Sequence, residues 1–259
     1  MSRGARKALL GLAGVLCVVL VLEIAPRLGI VDARFLPPFS DMAAALVERV
    51  QTPEFWTAFR QTLTTWAIGL TVAMLAGIVI GIVVGSVPLL RDATASTIEF
   101  LRPIPSVALI PLAVLMFRSS IQSTLLLVVY ASFWQVLVQV LYGVQDVDPV
   151  ARDTARTYRF RLLTQARMVI WPTALPYVVT GFRLAATVAL ILTITGELII
   201  GAPGIGNLVA TAQQSGAVAS MYALIIVTGL LGVAVNVLAR AVEQRVLRWH
   251  PSIRRENVT

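Results

Sequence analysis

The stretch DTARTYRFRLLTQARMVIWP, residues 153–172, interrupts a strongly apolar chain with charge. Arg152 precedes it directly, and Arg156, Arg159, Arg161 and Arg167 lie within it. An ionised side chain at the centre of a bilayer costs about 2.5–3.5 kcal/mol even on the most lenient scale. A helical stretch so charged therefore lies in water at a membrane surface. It is expected at the cytoplasmic face, where it offers a candidate docking surface to another molecule.

The rest of the chain makes the membrane reading compulsory. Of its 259 residues, 58% are hydrophobic and only 13% charged, with a mean hydropathy of +0.84; a soluble globular chain carries about 25% charged residues. Apolar runs of about 20 residues recur, the length that crosses a bilayer core as a helix. The expected fold is all-α integral membrane, one transmembrane domain over residues 1–259 with six spans. These fall at about 8–25, 62–87, 104–117, 123–142, 177–200 and 222–238, with a loop at 149–172.

Several chemistries are disfavoured. Cys17 is the single cysteine and His250 the single histidine, so no disulfide or cysteine metal site forms within the chain. Neither Gly-x-x-x-x-Gly-Lys-Ser/Thr nor His-Glu-x-x-His occurs. Glu99, Glu197 and Asp92 are scattered, and no span holds a histidine, so an integral-membrane enzyme is disfavoured. The net charge of +8 follows membrane topology and does not indicate nucleic acid.

That topology can be read from the basic residues. Six spans put both ends on one side. An N-in, C-in arrangement places Arg3, Arg6, Lys7, Arg91, Arg102, the five arginines of the loop, Arg240, Arg245, Arg248, Arg254 and Arg255 inside. Arg27, Arg34, Arg49, Arg60 and Arg118 fall outside, and Arg183 stands at the inner end of span five. The bias satisfies the positive-inside rule. The first span has a basic start like a signal peptide's, but it is expected to be retained, because the run is long and no small-x-small cleavage site stands out.

Within the spans, polar and backbone-breaking residues mark candidates for a translocation path. Residues 42–50 read as an amphipathic helix capped by Ser40 or Asp41, and residues 54–60 as a second short helix. Gly77, Gly81 and Gly85 share a helical face, which suits close packing. Pro111 interrupts the third apolar run, so span three is either a path-lining gate or a structural kink. Gln135 and Gln139, with Tyr130 and Trp134, serve either as interhelical glue or along a water-filled path. Thr193, Thr195 and Glu197 lie toward the outer end of span five; Glu197 acts either in transport or as a solvated interfacial charge. Arg118 either attracts an anion or is a solvated rim charge. The glycines of 201–206 form a turn-rich loop and not a nucleotide fingerprint, because no strand precedes them.

The charged loop resembles the signature of membrane subunits of ABC importers: Glu-Ala-Ala, three residues, Gly, nine residues, Ile, one residue, Leu-Pro. Asp153, Thr154 and Ala155 stand at Glu-Ala-Ala, Arg159 at Gly, Val169 at Ile, and Trp171 and Pro172 at Leu-Pro. The spacing is kept throughout. The chemistry departs at Thr154, Trp171 and Arg159. Residues 101–112, 174–185 and 196–206 are similar to the sulfonate, nitrate and taurine permease branch, and about residues 8–249 lie on that plan.

The resemblance implies a type I ABC importer permease-like bundle in the bacterial cytoplasmic (inner) membrane. It implies a coupling helix formed by Asp153, Thr154, Ala155, Arg156, Arg159, Val169, Trp171 and Pro172, with Ala155 kept small for packing on another protein. It implies as partners two cytoplasmic ATPase subunits, an extracytoplasmic substrate-binding protein and a second permease copy, a homodimer slightly ahead of a heterodimer. No cofactor is expected on this chain; ATP and Mg belong to the partner subunits. The substrate expected is a small organic or inorganic anion of sulfonate, taurine, nitrate or aromatic acid type. The alternatives are a pyrimidine precursor or an ion-driven secondary transporter. Arg159 leaves two options, a turn with ordinary dihedrals or a different docking, because a side chain adopts positive φ less cheaply than glycine does.

Overall fold

The computed structural model describes residues 3–118 and 120–248, and every regular element among them is helical. In order these are α1 (Arg3–Arg27), α2 (Phe39–Val50), α3 (Pro53–Ser86), α4 (Pro88–Leu101), a 3-10 turn (Ser106–Leu109), α5 (Ile110–Phe117), α6 (Ile121–Gln145), α7 (Pro149–Thr157), α8 (Leu162–Gln165), a π turn (Ala166–Ile170), α9 (Trp171–Ile200), α10 (Ile205–Gln214) and α11 (Val218–Val246). His250 lies outside the described residues. Five segments are long and apolar enough to cross a bilayer, and a bent pair brings the number to six.

α6 is the axis of the bundle. Leu127, Val128, Val136, Val140 and Val144 on it are wholly buried, between α3 on one side and α9 on the other. The approach of α3 depends on the absence of side chains. A Cβ on Gly77 would stand 2.7 Å from Val136 Cβ, one on Gly81 2.7 Å from Val140 Cγ1, and one on Gly85 2.9 Å from Val144 Cβ. Glycines spaced by four thus meet valines spaced by four, which is the packing the sequence suggested. On the α9 side Gly143 and Gly181 play the same part against Tyr177 and Gln139.

Four boundaries depart from the sequence reading. The short helix expected at 54–60 is the first part of α3. Thr52 Oγ1 accepts the Phe55 N–H at 3.4 Å, Pro53 occupies the first turn, and nothing breaks the helix before Ser86. At 34 residues α3 is about 51 Å long, so its first turns stand clear of an apolar core about 30 Å thick. The second departure is at Pro111, which does not interrupt a helix. It lies in the first turn of α5, where a missing N–H is harmless. The break lies earlier, between Leu101 and Ser106, where α4 and the following helical stretch meet at 83°.

Third, α2 has no side-chain cap of its own; Pro38 is its N-cap residue. Instead Glu23 at the end of α1 accepts the Ser40 N–H at 2.9 Å and the Ser40 hydroxyl at 3.1 Å, and pairs with Arg27 at 2.7 Å. Fourth, the helix of span five does not begin near Tyr177. The helix has already started at Leu162 and passes through the π turn, where the Trp171 N–H reaches back to Ala166 O. A proline ring collides with the carbonyl four residues earlier, and a wide turn relieves that collision. α10, absent from the sequence reading, follows Gly201 and Gly204 and turns back into the bundle, burying Ile205, Val209 and Ala212.

Candidate functional site

α7 is built to stand at the end of the bundle. Asp148 caps it, accepting the Val150 N–H at 2.7 Å, and Pro149 opens it. One face, Arg152 and Ala155, turns inward; Ala155 is 3% exposed. Val150, Asp153, Thr154 and Thr157 are exposed on the rest of the helix, and Tyr158, its C-cap residue, is exposed just past its end. Asp153 and Arg156 pair at 3.4 Å, both open to solvent, so the pair contributes little. The Thr154 hydroxyl donates to Val150 O at 2.7 Å.

Ala155 was expected to stay small for the sake of another protein. Its own chain already covers it, and it lines a cavity together with Val83, Ala166 and Val169. The residues that project instead include four large apolar side chains: Val150 at 72% exposure, Tyr158 at 74%, Leu163 at 85% and Met168 at 65%. None of the four stands at a position of the loop motif, so the motif spacing carries no signal for them. Arg152 anchors the inner face by donating to Val144 O at the end of α6.

Arg159 adopts φ 52. Its N–H donates to Arg156 O at 2.9 Å, and the Phe160 N–H donates to Ala155 O at 3.0 Å. Those two bonds make a Schellman turn, in which the residue after the C-cap takes the left-handed conformation. Of the two options the sequence left open, the ordinary-dihedral turn is therefore excluded. The glycine geometry is kept with an arginine in it. Val169 is half-buried in the π turn, while Trp171 and Pro172 are exposed at the start of α9.

The residues expected along a path are distributed over different contacts. Pro111 is exposed. The Tyr130 hydroxyl donates to Leu101 O at 2.6 Å, fixing α6 to the bend between α4 and α5. Gln135 and Gln139 are half-buried, and Gln139 packs against Gly181. Thr193 is buried and donates to Ala189 O within its own helix at 2.8 Å.

Glu197 is 0% exposed, which rules out the solvated interfacial charge. Its Oε2 accepts the Thr62 hydroxyl at 2.9 Å and the Gly206 N–H at 3.0 Å, and Thr62 Oγ1 accepts the Ile205 N–H at 2.9 Å. Thr62 and Glu197 thus satisfy the first amide groups of α10, which would otherwise be orphaned, and a carboxylate suits the positive end of a helix. A Cβ on Gly204 would collide with the Glu197 carboxyl, so that position requires glycine. Thr62 carried no signal in the sequence, because its partner lies 135 residues away. Arg183, placed by sequence at the inner end of span five, meets Glu243 of α11 at 3.4 Å. Among the described residues no three metal-ligating side chains stand together.

A family model described as binding-protein-dependent transport system inner membrane component matches residues 73–248. The chain is 28% identical over 193 residues to a nitrate import permease of Leptolyngbya laminosa, covering 74% of this chain and 69% of that one. It is 26% identical over 235 residues to a putative aliphatic sulfonates transport permease of Bacillus subtilis strain 168, covering 91% and 85%. It is 29% identical over 231 residues to a taurine transport system permease of Escherichia coli K12, covering 87% and 84%. Its fold is similar to a chain of the inward-facing MetNI methionine ABC transporter, with a TM-score of 0.65 and 14% identity over 76% of this chain and 99% of that one. A chain of an amino acid ABC transporter gives 0.61 and 19%, over 75% and 94%.

Proposed function

The chain belongs to the family of binding-protein-dependent transport system inner membrane components, and from that membership we propose a small organic or inorganic anion as its substrate. The chain is a membrane-spanning permease subunit of an ABC importer, a multi-pass protein with the bundle of a type I importer. The nitrate, sulfonate and taurine permeases among its relatives support the anionic substrate; a pyrimidine precursor is the second reading. In this proposal two copies of the chain enclose the path, with both termini in the cytoplasm. A substrate-binding protein delivers from outside, and two ATPase subunits bind ATP and Mg, which this chain does not. Uptake driven by an ion gradient through the chain alone belongs to a different kind of transporter.

Residues 149–172 are the docking element for the ATPase subunits. The observation that carries this is the surface at α7, where Val150 near its start and Tyr158 just past its end stay exposed in a stretch dense with arginine. Exposed apolar side chains in such a setting mark an interaction site. Closure of the ATPases on ATP moves α7 as a rigid lever, and because α8, the π turn and α9 run on without a loop, the motion reaches the core of the bundle.

The test is ATP-driven uptake by the reconstituted transporter carrying Asp153→Lys or Val150→Asp. Each is expected to lower uptake and stimulated hydrolysis roughly tenfold or more, as loss of an interface anchor does, while the chain still inserts. Unchanged uptake in both variants rules out the docking role.

A further inference from the structure

Behind α7 lies a cavity of about 350 Å³ that the transport reading does not use. Its walls are apolar, formed by Ile82 and Val83 of α3 with Val87 just beyond it, and by Leu163, Val169 and Ile170. Arg152 and Arg156 line it from α7. Ser86 also lines it, and the Ser86 hydroxyl is buried without a hydrogen-bond partner among the described residues. Buried hydroxyls are normally paired, so an unpaired one on the wall of a cavity points to an absent acceptor.

We propose that this cavity holds the headgroup of one anionic membrane phospholipid, its phosphate between Arg152, Arg156 and Ser86 and its first methylenes along Val83 and Val87. Three features select an amphiphile over a free ion. The volume is several times what one water occupies, about 30 Å³. Val83 and Val87 line the cavity and are also 49% and 41% exposed, so the apolar wall continues onto the outer surface of α3, where Val79 and Ile80 are exposed as well. The cations stand at one side only. Arginine presents a planar fork of donors that fits phosphate oxygens. Among the described residues Arg156 is held by its solvent-exposed pair with Asp153 at 3.4 Å, an interaction weak enough to exchange, while Arg152 keeps further donors beside the one it gives to Val144 O. Basic pockets beside membrane helices at the cytoplasmic surface recognise anionic headgroups by these means. The proposal rests on the cytoplasmic placement of residues 149–172.

The lipid would wedge α7 against α3 and stiffen the lever described above. The experiment titrates the purified full-length chain in detergent with phosphatidylglycerol, and separately with phosphatidylcholine of the same acyl chains, counting bound lipid by native mass spectrometry. One phosphatidylglycerol per chain is expected, at a preference of at least about tenfold, and millimolar inorganic phosphate does not displace it. Arg152→Gln with Arg156→Gln is expected to abolish the preference. Ser86→Phe, which fills the cavity, is expected to abolish binding, with helicity by circular dichroism confirming that each variant folds. Equal retention in the arginine variant overturns the proposal. So does displacement by inorganic phosphate, which assigns the site to a free anion, and so does loss of the lipid when the ATPase subunits bind. Because binding in detergent does not depend on sidedness or coupling, Val150→Asp separates the two readings: it is expected to fail in transport and still bind phosphatidylglycerol.

Discussion

Arg159 and Glu197 show how much rests on single positions. At φ 52 an arginine pays for a conformation that glycine adopts freely, and the two Schellman bonds hold it there. Left-handed backbone costs an ordinary residue about 1 kcal/mol or somewhat more. Arg159→Gly is therefore expected to stabilise the loop by about 1 kcal/mol, read as slower hydrogen exchange at the Arg159 and Phe160 amides. Faster exchange would mean that the arginine side chain holds the loop more strongly than the strain loosens it. The spacing of the loop motif pointed to a turn at 159, but the side chain standing there concealed that the turn is left-handed. At Glu197 the sequence offered a role in transport or a solvated interfacial charge, and in the folded chain that acid, together with Thr62, receives α10. Thr62→Val leaves the Ile205 N–H without its acceptor and removes one of two donors to the carboxylate. It is expected to destabilise the chain by about 1–3 kcal/mol, measured by thermal unfolding in detergent. An unchanged unfolding temperature would show that α10 is held by its apolar face alone.

Among the elements, the contact of α3 with α6 was the most legible. Its signal is local, glycines four apart on one helix, and only the valine partners were unknown. Gly81→Ala drives a methyl to 2.7 Å from Val140 Cγ1, and the resulting overpacking is expected to cost about 1–3 kcal/mol. Gly14→Ala in α1 meets nothing within 4 Å and is expected to be neutral or to stabilise by up to about 1 kcal/mol through helix propensity. Adding Val140→Ala to Gly81→Ala should recover part of the loss, and a double-mutant cycle without coupling would refute the packing account. The bend before α5 was less legible. Pro103, Pro105 and Pro111 all carry the same local message, and the contact that distinguishes them, Tyr130 to Leu101 O, joins residues 29 apart.

For the whole molecule, α9 is the organising distance. In chain order α7 precedes its Trp171 end and α10 follows its Ile200 end, so with residues 149–172 in the cytoplasm α10 is expected on the outer side. Cys17 is free and exposed, so Cys17→Ser supplies a clean background for labelling with impermeant maleimides. Arg161→Cys is expected to react only from the cytoplasmic side and Gln213→Cys only from outside. Reaction of Arg161→Cys from outside would invert the topology and remove the ATPases from reach of α7.

Composition and apolar run length determined by themselves that this chain crosses a membrane as helices, because lipid leaves the backbone no other local solution. The distribution of arginine and the spacing of the loop motif pointed to its orientation and family. What only the tertiary structure decided is which groups satisfy one another across long stretches of chain: Glu197 and Thr62 on α10, Tyr130 on Leu101, Ala155 on its own bundle. Those pairings depend on where helices cross, and no local pattern of side chains encodes the place at which two distant helices meet.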